Sequence, residues 1–133
     1  MKILIPTDFS PTSQTLIEKV LESLKDKGPS EILLLNTFIV KETDPELVIT
    51  ANDRLKSQSK NSLEALKSLT LQKITNPQIN VQTASHMGSL RNVIQQLLKK
   101  EKFDHIAVTK DQAGELSSIR EFLKEKACAF IIK

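Results

Sequence analysis

Two stretches of this chain, KILIPT at residues 2–7 and EILLLNTF at residues 31–38, carry unbroken apolar runs bounded by polar residues. A strand with one wet face alternates apolar and polar residues, whereas a strand covered on both faces is apolar throughout. Each of these runs is followed by a segment of helical period. After the first, Leu16, Ile17, Val20, Leu21 and Leu24 recur on one face, opened by Ser10 as N-cap and Pro11 at the first helical position. Doubly covered strands separated by helices require a parallel sheet with helices on both sides.

The rest of the chain continues the alternation. Gly28-Pro29 is expected to end the first helix, with Gly28 in a left-handed conformation. Asp44-Pro45 opens a second helix, in which the polar ANDRLKSQSKNS (51–62) allows a break or an exposed segment before Leu63, Leu66 and Leu69 resume the stripe. INVQTAS (79–85) alternates like a strand with one wet face. Leu90, Val93, Ile94, Leu97 and Leu98 then fit the helical template without a miss. FDHIAVT (103–109) reads as a fourth strand and CAFIIK (128–133) as a fifth, with a short helix between them carrying a Ser118/Glu121 capping box. With right-handed crossovers this order predicts one α/β domain over residues 1–133, a doubly wound five-stranded parallel sheet in a three-layer α/β/α sandwich.

Composition narrows the function classes. The formal net charge is only +3, there is no Trp or Tyr, and the basic residues are mostly dispersed lysines. Nucleic-acid binders use clustered cations and aromatic stacking platforms, so nucleic acid is not an expected partner. The single cysteine, Cys128, excludes an internal disulfide and reads as a small buried hydrophobe. The first apolar run is too short for a signal peptide and no run is long enough to span a bilayer, so a cytoplasmic protein with no membrane partner is expected.

In such sheets ligands bind outside the carboxyl ends of the strands, where the strand order reverses. The residues at those ends are Thr7, Asp8 and Ser10, then Asn36 and Thr37, then Ser85, His86 and Gly88, and finally Thr109, Lys110 and Asp111. Asp8 admits two readings: a ligand contact, or a turn residue accepting backbone N–H groups from the Ser10–Ser13 region. Position alone leaves the two readings evenly balanced. His86 and His105 have no companion at metal-ligand spacing, and no nucleophile with a positioned base can be read, so neither a metal nor catalysis is expected.

ILIPTDFSPTS (3–13), INVQTASHMGSLRNVIQQLLKKEKFDHIAV (79–108) and SIREFLKEKACAFIIK (118–133) together resemble the universal stress protein family, in this order and spacing over essentially the whole chain. In that family, ATP-binding members follow the fourth strand with a Gly-x-x-Gly loop and a later Gly-Ser or Gly-Thr pair. The resembling stretch here is VTKDQAGELSSIRE (108–121), in which Thr109 and Gln112 stand where the loop glycines would be and Ser117-Ser118 replaces the final pair. Gly114 alone remains, out of register, and Asp111 and Glu115 would oppose a triphosphate. The resemblance therefore implies a residual nucleotide crevice at Asp8, Thr37, Thr109 and Ser118. It also implies a homodimer through the last strand, Ala129, Phe130, Ile131 and Ile132, an apolar edge that pairing would protect.

The expectation is thus a non-catalytic, dimeric stress-response interaction module with no required cofactor and a protein partner still to be identified. The alternative is a regulatory domain binding AMP or ATP at an altered site.

Overall fold

The computed structural model describes residues 1–41, 43–126 and 129–132, the last four by their backbone. Strands and helices alternate as β1 (Lys2–Pro6), α1 (Pro11–Leu24), β2 (Ser30–Phe38), α2 (Pro45–Lys73), β3 (Ile79–Met87), α3 (Leu90–Lys100), β4 (His105–Val108), α4 (Lys110–Glu115), a 3₁₀ turn at Ser117–Ile119, α5 (Arg120–Glu125) and β5 (Ala129–Ile132). The strand order is β3-β2-β1-β4-β5, with every pairing parallel. The first three strands and the last two are wound in opposite directions from the centre, so the order reverses between β1 and β4. This is the expected α/β architecture. β5 lies at the edge and is described only by its pairing with β4, from His105↔Ala129 to Val108↔Ile132.

The apolar strands are covered twice, as their composition demands. Ile3, Ile5, Ile32 and Leu34 point into one core with Leu16, Ile17, Val20 and Leu24 of α1 and Leu63 and Leu66 of α2. Their neighbours Leu4 and Leu35, with Ile106 and Val108, point into the other, with Val93, Ile94 and Leu98 of α3 and with Ala113, Leu116, Ile119 and Leu123 from the segment after β4. Phe103, wholly buried, fills the base of this second core. Each such fully buried side chain contributes about 1.5–3 kcal/mol.

Two helix starts form as the sequence dictates. Ser10 Oγ accepts a hydrogen bond from Ser13 N at 3.2 Å, and Asp44 Oδ1 accepts one from Glu46 N at 2.9 Å, each followed by a first-turn proline.

Three details differ from expectation. α2 runs through residues 51–62 without the break, although the segment is largely exposed as the other alternative had it; its inward stripe there is Ala51, half-buried Leu55 and a buried polar residue, Ser59. A hydroxyl at a core position hides the helical period from an apolar count. α1 ends at Leu24, before Gly28, and the glycine with positive φ is Gly88 (φ 135°) at the exit of β3. Finally, the stretch after β4 is not an open loop. Thr109 caps α4 through a complete capping box, its hydroxyl accepting from Gln112 N while Gln112 Oε1 accepts from Thr109 N. The Ser118/Glu121 box does not form: Ser118 sits within the 3₁₀ turn, and α5 starts without a side-chain cap.

Among the described residues no helix is long and apolar enough to cross a membrane, and no group of His, Cys, Asp and Glu is arranged to hold a metal ion. Cys128 lies outside the described residues, as do the side chains of Ala129, Phe130, Ile131 and Ile132.

Candidate functional site: the cleft at the strand carboxyl ends

β1 and β2 end side by side, with Pro6 opposite Leu35, and the chain then leaves β1 through a tight turn. Thr7 N donates to Leu35 O at 2.8 Å, which extends the pairing by one bond, and Thr7 Oγ1 accepts from Phe9 N at 3.0 Å. Asp8 closes the turn: its Oδ1 accepts from Ser10 N at 3.0 Å and from Ser13 Oγ at 2.7 Å. The Ser10 hydroxyl above all, with the Ser13 hydroxyl and the Ser10 N–H, holds the Asp8 carboxyl below its ordinary value, against an opposing push from burial. Phe9 is forced to φ 65°, a left-handed conformation uncommon for a bulky residue, and its ring packs against the first core. The abrupt carboxylate after an apolar strand therefore orders the turn that starts α1, which is a structural role.

A hydrogen-bonded chain ties the strand ends together beneath this turn. Asn36 Nδ2 donates to Thr7 O at 2.8 Å; Ser59 Oγ donates to Asn36 Oδ1 at 2.7 Å; Ser85 Oγ donates to Ser59 Oγ at 2.7 Å. The chain links β1, β2, α2 and β3 and satisfies the one polar residue that α2 turns toward the sheet at this level.

Above it lies a cleft of about 130 Å³ lined by Pro6, Thr7, Asp8, Leu35, Asn36, Thr37, Leu90, Gln112 and Glu115. Small-molecule sites more usually enclose about 300–1,000 Å³. Among the described residues the lining offers two carboxylates, amide and hydroxyl groups and two leucines, but no Lys or Arg. Of the four residues named from the sequence as a residual crevice, Asp8 and Thr37 line this cleft. Thr109 is buried beside it and engaged in capping α4. Ser118 is not among the lining residues; its Oγ lies 3.4 Å from the donating Arg91 Nη1. Sequence reading does not single out Asn36 and Ser59 as partners, nor foresee Gln112 as a buried bridge. Thr109-x-x-Gln112 is itself a capping-box spacing, so that signal is present in the sequence.

The sequence matches the universal stress protein family over residues 1–123, and the chain belongs to that family. No curated protein is a significant sequence match. Solved structures share the fold at low identity. Universal stress protein UspA from Lactobacillus plantarum aligns at 16% identity with a TM-score of 0.73, over 99% of this chain and 96% of its own. A universal stress protein family protein from Arabidopsis thaliana with AMP bound aligns at 18% identity and TM-score 0.68, over 99% and 90%. A universal stress protein in complex with cAMP aligns at 12% identity and TM-score 0.63, over 100% and 96%.

Proposed function

We propose that this universal stress protein domain is a non-catalytic, homodimeric stress-response interaction module, cytoplasmic, and without the phosphate-binding loop of ATP-holding relatives. One observation carries the reading: the chain leaves β4 directly into the capped helix α4, whose Gln112 and Ala113 are buried and whose Glu115 faces the cleft. The capping box engages Thr109 N and Gln112 N, so neither of these backbone donors is offered to a triphosphate. The carboxylates of Asp8 and Glu115 add unfavourable charge at the same place. The absence of a nucleophile with a positioned base from the cleft lining supports a non-enzymatic role. The edge position of β5 supports the dimer, since an apolar strand there is protected by two-fold pairing with a second copy.

The alternative, an AMP- or ATP-binding regulatory domain, is favoured by the AMP- and cAMP-bound relatives and by the places of Asp8 and Thr37 in the cleft. Thermal unfolding followed by circular dichroism, with and without millimolar Mg-ATP, ADP, AMP and cAMP, separates the two. A ligand at a hundredfold its Kd adds about 2.7 kcal/mol, a midpoint shift on the order of 10 °C for a chain of this size. The module reading expects no shift with any of them, and a shift of that size with AMP or ATP would establish the regulatory reading instead.

A further inference from the structure

We infer that Gln112 is the specificity-determining residue of the cleft, a side chain that plugs the crossing between β1 and β4 and keeps nucleotides out. The inference rests on the proposed nucleotide-free reading and adds a single residue as its cause.

The switch point between β1 and β4 is where an α/β sheet opens a crevice. Here that opening is bridged. Gln112 leaves the first turn of α4, which begins directly after β4, and its Nε2 donates to Pro6 O at the end of β1 at 3.2 Å. The other end of the same amide, Oε1, accepts from Thr109 N at 3.0 Å. Gln112 is 9% exposed, so the bridge lies within the protein surface.

Both ends of the amide meet backbone groups of buried residues. A ligand crossing here would have to break both bonds and strand Pro6 O and Thr109 N. The plug cannot easily swing aside with its helix either. Ala113 and Leu116, the residues flanking the outer turn of α4, are buried in the second core with Val93 and Leu123. The space that remains is the small cleft that Gln112 itself lines together with Asp8, Thr37 and Leu90. A side chain without the amide arm would widen this cleft at its Gln112 wall.

Glutamine's chemistry also distinguishes plugging from simple filling. The arm matches one acceptor and one donor at once, which an aliphatic side chain of similar length cannot do. Its volume, however, is what excludes a ligand. Volume and hydrogen bonding are separable by substitution.

The test is isothermal titration calorimetry of AMP, adenosine and Mg-ATP into wild type, Gln112→Ala and Gln112→Leu, each first checked for a cooperative unfolding transition. Gln112→Ala should bind AMP or adenosine at least tenfold more tightly than wild type, while Gln112→Leu, equally bulky, should stay closed. Gln112→Ser replaces the alanine variant if that one does not fold. Silence in both wild type and the folded truncated variant overturns the plug and leaves the nucleotide-free reading standing. Binding by wild type as tight as by Gln112→Ala overturns both. Binding by Gln112→Leu as tight as by Gln112→Ala overturns the volume argument on which the plug depends.

Discussion

Replacing Asn36 by alanine tests whether the polar chain beneath the cleft holds the strand ends together. Asn36 donates to Thr7 O at 2.8 Å and accepts from Ser59 Oγ at 2.7 Å, so Asn36→Ala removes two short bonds. Each is worth about 1 kcal/mol net, with an added cost for leaving a buried partner unsatisfied. Ser59 is only 4% exposed and keeps just its bond from Ser85, so part of that added cost applies. The total comes to about 2–3 kcal/mol. At about 2.1 cal/mol/K per residue of unfolding entropy, this lowers the thermal midpoint by about 7–11 °C. Circular dichroism at 222 nm reads the midpoint directly. A double-mutant cycle with Ser59→Ala should show coupling of about 0.5–1.5 kcal/mol, because the two side chains share one bond. A midpoint within about 2 °C of wild type, equivalent to about 0.5 kcal/mol, would refute the reasoning. Simple additivity of the two substitutions would refute it equally.

Gly88→Ala should destabilise the domain by about 1–3 kcal/mol, since Gly88 has φ 135° and an added Cβ would meet Val93 Cγ2 at 3.3 Å; an unchanged denaturation midpoint in urea would contradict this. Asp8 is lowered chiefly by the Ser10 hydroxyl, and Asp104 chiefly by the bond from Lys2 N. Their stabilisation is therefore present above the unfolded carboxyl value near about 3.9 and lost as pH falls through the lower folded values. The stability gap between wild type and an Asp8→Asn/Asp104→Asn variant should accordingly close on acidification from neutral pH, and a gap that is constant with pH would count against both assignments. Ile131→Pro should convert the proposed dimer to monomer in sedimentation velocity by removing a backbone donor from β5; a persisting dimer would exclude pairing through Ala129–Ile132.

The fold is legible in the sequence because its signal is a repeated one. Apolar runs at Ile3–Ile5 and Ile32–Leu35, each followed by a helical stripe, admit few arrangements other than a doubly covered parallel sheet. What escapes sequence reading depends on single polar groups. Ser59 looks like one more surface serine, and only the approach of Asn36 and Ser85 from two strands makes it a core residue. Thr109 and Gln112 fall on the phosphate-loop pattern, which masks the helix start that the same two residues encode. Gly28 and Gly88 have the same composition signal, and the tertiary path alone decides that Gly88 takes the positive φ. Asp8 is legible as a turn residue because an acceptor two residues before a serine N–H is a local arrangement that needs no distant partner.

The most direct measurement is a titration of uniformly ¹⁵N-labelled wild-type protein with Mg-ATP and with AMP, following backbone amides by NMR. The amides of Asp8, Thr37, Thr109 and Gln112 report the cleft and its bridge. The account predicts that none of them moves in a saturable way at millimolar nucleotide. Saturable shifts confined to those four and their neighbours would contradict it, and would make this domain a nucleotide-binding regulator.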